Sequence, residues 1–231
     1  MIEGAPVAAI VPLFNGCRFI REAIESVLAQ KPRPCEIVVV DDGSTDGGAR
    51  LLAGLPGIRI VSQPNAGEAA ARNRGIWEST APLIAFLDQD DLWLRSKLAL
   101  QLQALEADPS IDVAFAQHRL FVEDGARWFR KGLLGMALAA ELPGTMLVRR
   151  KAFERIGHFR EDMRFGSDID WVWRARDAGL RSQLIEEVLL LRRIHRANSS
   201  IARAAFMSGL PKAAYRSIRR KRLSVAFAAL K

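Results

Sequence analysis

The sequence predicts an α/β fold built on a mostly parallel sheet with helices on both faces, and two observations carry that prediction. Short apolar runs alternate with helical stretches of about 10–15 residues over the first hundred positions. Each run is followed at once by a polar or turn-prone segment: Pro12-Leu13-Phe14-Asn15, Asp41-Asp42-Gly43-Ser44, Gln63-Pro64-Asn65 and Asp88-Gln89-Asp90-Asp91. Crossover helices between parallel strands bring such segments to the carboxyl edge of the sheet, where open α/β sheets bind ligands.

Residues 7–11 form an apolar run closed by Pro12, which suits a buried strand. Phe19, Ile20, Ala23, Ile24, Val27 and Leu28 then recur at helical spacing. Residues 36–40 read as a second strand, 45–55 as a short helix, 58–62 as a third strand and 68–77 as a helix. Residues 83–87 make the fourth strand and 94–106 the helix after it. Beyond Asp108 the alternation ends. Residues 113–122 read as a longer strand, 144–148 as a further strand, 150–156 as a helical turn or two, and 168–178 as a helix ended by Gly179. Residues 132–142 are apolar without an assignable period. No repeat or low-complexity linker interrupts the chain, which divides into residues 1–108, 109–198 and a tail at 199–231.

At 231 residues and 49% hydrophobic content, the chain can bury the core of one large domain or two small ones. Its net charge of +8 suggests a nucleic-acid partner until it is divided along the sequence. No acidic residue follows Glu187, and 11 of the 34 Lys and Arg residues lie in the last 44 positions, so residues 1–187 sum to −3. The excess belongs to the tail, and no nucleic acid is expected as a partner. The tail mixes Ile201, Phe206, Leu210, Tyr215, Ile218 and Phe227 with basic residues. That pattern fits either an amphipathic helix on an anionic membrane surface or a helix packed on the domain. No apolar run reaches the roughly 18 residues of a membrane span. Cys17 and Cys35 have neither zinc-site spacing nor the number for a disulfide framework. A cytoplasmic location is expected, with peripheral contact at the inner face of the membrane if the tail binds there.

Three carboxylates as close as Asp88, Asp90 and Asp91 repel one another unless a cation or solvent separates them. Mg²⁺ or Mn²⁺ supplies such a cation, completing its shell with phosphate oxygens. The alternative is an acidic helix start, with Asp91 as N-cap. Alternation along a strand would put Asp88 and Asp90 on one side and Gln89 on the other. Asp42 could accept from a base or ribose, with Ser44 serving the turn. Arg72 could neutralise a diphosphate or lie on a solvated helix face, as could Arg74. Asp168 begins a helix, where N-capping is the default use of Asp. Trp171 and Trp173 cannot both face the core of a regular helix, so one is open to line a cleft. A lone histidine such as His195 is more often structural than a ligand.

Taken in order, four segments resemble the family 2 glycosyltransferases. They are Ile10-Val11-Pro12-Leu13-Phe14-Asn15, Val38-Val39-Val40-Asp41-Asp42-Gly43-Ser44-Thr45-Asp46, Ala69-Ala70-Ala71-Arg72-Asn73-Arg74-Gly75 and Phe86-Leu87-Asp88-Gln89-Asp90-Asp91. The resemblance, from about Val7 to Ser200, implies a Rossmann-like GT-A fold with a nucleotide-binding half (1–108) and an acceptor-binding half (109–198). It implies an inverting transfer of one sugar from a nucleotide-sugar donor, a UDP-sugar being favoured, to a glycan, lipid-linked or protein acceptor, with Mn²⁺ or Mg²⁺ as cofactor. By the same resemblance, Pro12, Phe14, Asn15, Asp42, Asn65, Arg72, Asp88 and Gln89 would bind the donor. Asp90 and His195 would hold the metal, and Asp168 would be the general base. Ser167, Asp170 and Trp171 would lie on the acceptor side. Phe14 replaces a tyrosine common in the family, and Ser167 replaces a glutamate.

Other readings are weaker. A phosphatase with D-x-D after its first strand would not carry the motif on the fourth, and a nucleotidyltransferase would show a Gly-rich loop after strand one. A non-catalytic protein keeping the fold and binding a membrane or partner through its tail is a third. Without spanning helices or a Q-x-x-R-W motif, a processive synthase is not expected.

Overall fold

The computed structural model describes residues 4–123 and 131–198. The tail at 199–231, its predicted helix and the first part of the region between Asp124 and Leu142 lie outside the described residues. Nine strands form one sheet in the order β3-β2-β1-β4-β8-β6-β9-β5, with β7 paired to β6. The strands are β1 (Ala5–Leu13), β2 (Pro34–Asp41), β3 (Arg59–Ser62), β4 (Leu83–Phe86), β5 (Leu92–Trp93), β6 (Val113–Val122), β7 (Ala137–Ala139), β8 (Leu147–Arg149) and β9 (Ser182–Ile194). The helices are α1 (Ile20–Leu28), α2 (Glu68–Trp77), α3 (Lys97–Ala107), α4 (Arg150–Ile156) and α5 (Ser167–Asp177).

Strands β1 to β4 pair in parallel, as their crossover helices require. The rest of the sheet departs from the mostly parallel expectation. Strand β8 runs antiparallel to both β4 and β6, β7 is antiparallel to β6 and β5 to β9, whereas β6 and β9 are parallel. The sheet is therefore mixed, and it continues unbroken from the first 108 residues into the remainder.

Helices cover both faces. On one, Ile20, Ile24 and Val27 of α1 and Leu98, Leu102 and Leu105 of α3 pack on Val7, Ala9, Val11 and Leu13 of β1. On the other, Ile76 of α2, Phe153 of α4 and Trp171 of α5 pack with Ile10, Ile84 and Phe86. The period of two along β1 thus feeds two cores, the pattern of a strand buried on both sides. Helix α2 lies so close to β1 that a Cβ at Gly75 would overlap Ile10 Cγ2. Strand β1 continues through Pro12, which pairs in register with Val40. The missing N–H of Pro12 points to the β4 side, where pairing has already ended at Ile10 and Phe86.

Local chemistry explains where the structure differs from the sequence reading. In place of a helix over 45–55 there is one 3-10 stretch, Gly48–Leu52, because Gly47 takes a left-handed φ of 79° and Asp46 ties Cys17 N and Gly48 N together. Helix α3 starts at Lys97, since Leu92 and Trp93 pair with β9 as β5. Strand β9 itself is hidden in sequence. Its register with β6 jumps from Ile185 opposite Ala116 to Val188 opposite Gln117, so the bulge at Glu186-Glu187 breaks the alternation.

Lys97 is fully buried, donating from Nζ to Gln101 Oε1 at 2.5 Å and Met146 O at 3.2 Å, over the Trp93 ring. Burial pushes its pKa down to about 7. Between that value and the ordinary lysine pKa the unfolded chain binds the extra proton, so stability rises with pH there. Relative to Lys97→Met, the native chain should gain up to about 1.4 kcal/mol per pH unit from pH 7 towards 10. Urea denaturation of both proteins across that range checks this, and parallel pH profiles would refute it.

Candidate active site

The turn after β4 organises the site. Asp91 N donates to Asp88 O at 3.1 Å, closing a turn over residues 88–91, so strand alternation stops at Leu87. Each side chain of the turn goes a different way. Asp88 Oδ1 accepts from Arg72 Nη2 at 2.7 Å. Gln89 clamps the backbone of residue 14, accepting from Phe14 N at 2.8 Å and donating to Phe14 O at 3.0 Å. The Phe14 ring is left exposed. Both ends of the Gln89 amide, expected to meet the donor, are engaged in holding the loop after β1. Gly16 is required beneath it, since a Cβ there would overlap the amide.

Asp90 Oδ2 lies 2.8 Å from His195 Nε2 and accepts from Asn198 Nδ2 at 3.0 Å. The Ala197 N–H donates to His195 Nδ1 at 3.2 Å, which places the imidazole proton on Nε2 and makes His195 a donor to Asp90. In this tautomer His195 orients the carboxylate of Asp90, the residue with which it was expected to share a metal. Burial, then the charge of Asp88, raises the Asp90 pKa against the pull of His195. Asp90 Oδ1 takes no hydrogen bond among the described residues. No group of three or more His, Cys, Asp or Glu among them could hold a cation alone. One open carboxylate oxygen beside two further carboxylates does fit a divalent cation whose remaining positions come from phosphate and water.

Asp91 is not a helix cap. It is buried, accepts from Arg193 N at 2.9 Å and lies 3.8 Å from Arg192 Nε, so it pins β9. Burial and Asp90 hold its pKa well above the usual carboxylate range. Arg193 completes this wall. Its Nε donates to Asp90 O at 2.9 Å, its Nη2 to Glu22 at 2.6 Å, and its guanidinium packs between Phe19 and Phe121.

Helix α2 supplies the opposite wall. Arg72 is only 3% exposed, and its Nη2 also donates to Glu68. Burial works against its charge, but Glu68, Asp88 and Asp168 outweigh that and keep it protonated. Asn73 clamps Phe159 as Gln89 clamps Phe14, accepting from Phe159 N at 3.0 Å and donating to Phe159 O at 2.9 Å. Arg74 turns outward to Glu78.

Asp168 stands in the first turn of α5, partly exposed. The N-cap is Gly166 with a left-handed φ of 77°, so capping does not account for Asp168. Among the described residues Asp168 makes no hydrogen bond or ion pair, yet it is near enough to Arg72 and Glu68 to affect their ionisation. Ser167 is buried beside it. Asp170 and Trp171 do not face an acceptor. Asp170 is fully buried and paired with Arg174 at 2.8 Å and Arg160 at 3.4 Å. Trp171 is fully buried against Phe153, its indole donating to Gly157 O at 3.0 Å. Two positions on from Asp168, Asp170 falls on the opposite face of the helix, while Trp171, one turn along from Asp168, packs into the core.

The loops after β1 to β3 are knitted together. Asn15, at a positive φ of 49°, donates from its N–H to Ser44 Oγ and accepts from Thr45 N at 2.9 Å. Asp42 is buried, and both its carboxylate oxygens are engaged by loop 63–67. They accept from Gln63 Nε2 at 2.7 Å, Gly67 N at 2.8 Å, Ala66 N at 2.9 Å and Asn65 Nδ2 at 3.1 Å. Asp42, expected to meet the base, is thus held by this loop, with Asn65 as one of its partners. Pro12 is buried within the sheet. The reading of the sequence missed Glu68, Arg193 and Asn198, none of which belongs to a motif.

This ordered set of strand-end loops has known counterparts. The model of glycosyl transferase family 2 matches residues 8–166. The chain belongs to that family. It is 30% identical over 87% of its length to an uncharacterized glycosyltransferase of Nostoc, covering 69% of that protein. Among solved structures, the mannosyltransferase PcManGT of Pyrobaculum calidifontis, in complex with GDP-Man and Mn²⁺, superposes with a TM-score of 0.74 at 24% identity, covering 94% of this chain and 66% of that one. S. aureus TarS in complex with UDP-GlcNAc gives 0.67 at 19%, over 83% of this chain and 59% of that one. The GT-A-like α/β fold is shared. Of two rickettsial glycosyltransferases that it also matches, this chain spans only 18% and 20% of the length.

The role of Asp42 is directly testable. Asp42→Ala strands four donors and should cost about 2–4 kcal/mol in chemical denaturation. Unchanged stability with weakened nucleotide binding would instead assign Asp42 to the base.

Proposed function

We propose that this glycosyltransferase family 2 chain is an inverting enzyme moving one sugar from a nucleoside diphosphate sugar to an acceptor hydroxyl. The observation that carries this reading is Asp168, a carboxylate without a protein partner among the described residues, facing the cluster around Asp88 and Arg72. A carboxylate so placed can accept the proton of an acceptor hydroxyl as its oxygen attacks the anomeric carbon, which typically contributes about 10²–10⁴-fold in rate. Asp90, oriented by His195 and Asn198, would hold a divalent cation, Mn²⁺ or Mg²⁺. That cation, when bound, neutralises charge developing on the departing diphosphate. Arg72 pairs with Asp88, and Phe14 offers an exposed ring on which a base can stack. The complexes of the two solved relatives, one with GDP-Man and Mn²⁺ and one with UDP-GlcNAc, support this donor class. A UDP-sugar is the first donor to test, and a glycan, lipid-linked or protein hydroxyl the acceptor.

Asp168→Asn should abolish transfer while donor affinity stays within about twofold, because only the proton acceptor is lost. Asp90→Ala should weaken Mn²⁺-dependent donor binding, read by calorimetry with and without the metal. Loss of donor binding in the first variant, or unchanged binding in the second, would overturn the assignment of that residue.

We further propose that the basic residues beyond 198 bring the enzyme to the cytoplasmic face of an anionic membrane. No helix among the described residues is long and apolar enough to cross one. A chain ending at Asn198 retains the partner of Asp90. It should lose sedimentation with vesicles containing phosphatidylserine, and undiminished sedimentation would eliminate the tail as the anchor.

A further inference from the structure

We propose that Glu68 is a specificity-determining residue that selects uncharged donor sugars against sugars bearing a carboxylate; this rests on the donor reading above. The anomeric carbon has to lie between a diphosphate at Asp88 and Asp90 and an acceptor oxygen at Asp168. The transferred sugar therefore fills the space that these three carboxylates bound.

Glu68 borders the same space. It stands in the first turn of α2, directly after Gly67, and shares Arg72 Nη2 with Asp88. Its side chain remains 54% accessible, so it is a surface of the cleft and not part of the core. Arg72 favours its ionised form, yet partial burial and the charges of Asp88, Asp168 and Asp90 outweigh that and raise its pKa to about 7, so Glu68 carries its full charge only above that pH. All three carboxylates that bound the sugar thus act on Glu68.

The cation balance decides the selectivity. Arg72 is buried and already paired with two carboxylates, and His195 is already engaged by Asp90 and the Ala197 N–H. A cation at Asp90 would be matched by the diphosphate itself. A sugar carboxylate would then face Glu68 and Asp168 with Arg72 already committed to Glu68 and Asp88, whereas a sugar hydroxyl donates to either carboxylate. Glu68 belongs to the α2 turn and is independent of the proton transfer assigned to Asp168.

The test uses matched donors that differ at one carbon. The full chain is titrated calorimetrically at about pH 8, where Glu68 is ionised, with Mn²⁺ present, against UDP-glucose and UDP-glucuronate, against GDP-mannose and GDP-mannuronate, and against UDP and GDP alone. For whichever nucleotide binds, the uncharged sugar should bind at least about tenfold tighter than its carboxylate counterpart. Glu68→Gln, which keeps the acceptor for Arg72, should narrow that ratio by about threefold or more at unchanged melting temperature. Equal binding of a matched pair, or an unchanged ratio in Glu68→Gln, overturns the selectivity while leaving the donor reading intact. Absence of binding by every nucleotide and nucleotide sugar overturns both.

Discussion

Asp88, Asp90 and Asp91 cannot share one largely buried turn unless something answers each charge, and much of the molecule around the site does so. Arg72 answers Asp88 from α2, His195 and Asn198 answer Asp90 from the segment after β9, and the Arg193 backbone with Arg192 answers Asp91. These partners come from opposite sides of the turn and from positions up to about a hundred residues away. Their convergence fixes the turn in space, and it leaves Asp90 with one oxygen uncommitted. Like charges held this close raise one another's pKa, so the turn is predisposed to take a cation.

The same demand explains the mixed sheet. A purely parallel sheet ending at β4 would leave Asp91 at an open edge. Strand β9 instead runs the length of β6, turns back along β5 and delivers Arg193, His195 and Asn198 to the turn. Helix α2 has a matching duty on the far side. It presses on β1 through Gly75, offers Arg72 to the donor carboxylates, and through Asn73 fixes the segment that leads to α5 and Asp168.

Local signals made the fold legible and long-range ones hid the rest. The helix over 68–77 and the strand over 113–122 were readable because each is a run of residues suited to its element, alanine-rich in the first and aliphatic or aromatic in the second. Strand β9 was not, since its double glutamate bulge mimics a break, and β5 is two residues long. In the site, Asp88, Asp90 and Asp168 were marked by their place after a strand or before a helix. What each carboxylate does was not marked. Asp42 and Asp91 are acidic in the same way as Asp90, and only distant partners, loop 63–67 and β9, turn them into anchors. Asp170 and Trp171 share the local sequence of Asp168 but fall on the buried side of α5.

The two amide clamps, Gln89 on residue 14 and Asn73 on residue 159, grip peptide groups and not side chains. A peptide group is the same whatever residue carries it. Position 14 is thereby a socket whose frame is set from outside, so exchanging phenylalanine for tyrosine there alters the exposed ring without moving the loop. Diversification of that surface is uncoupled from the folding of the sheet.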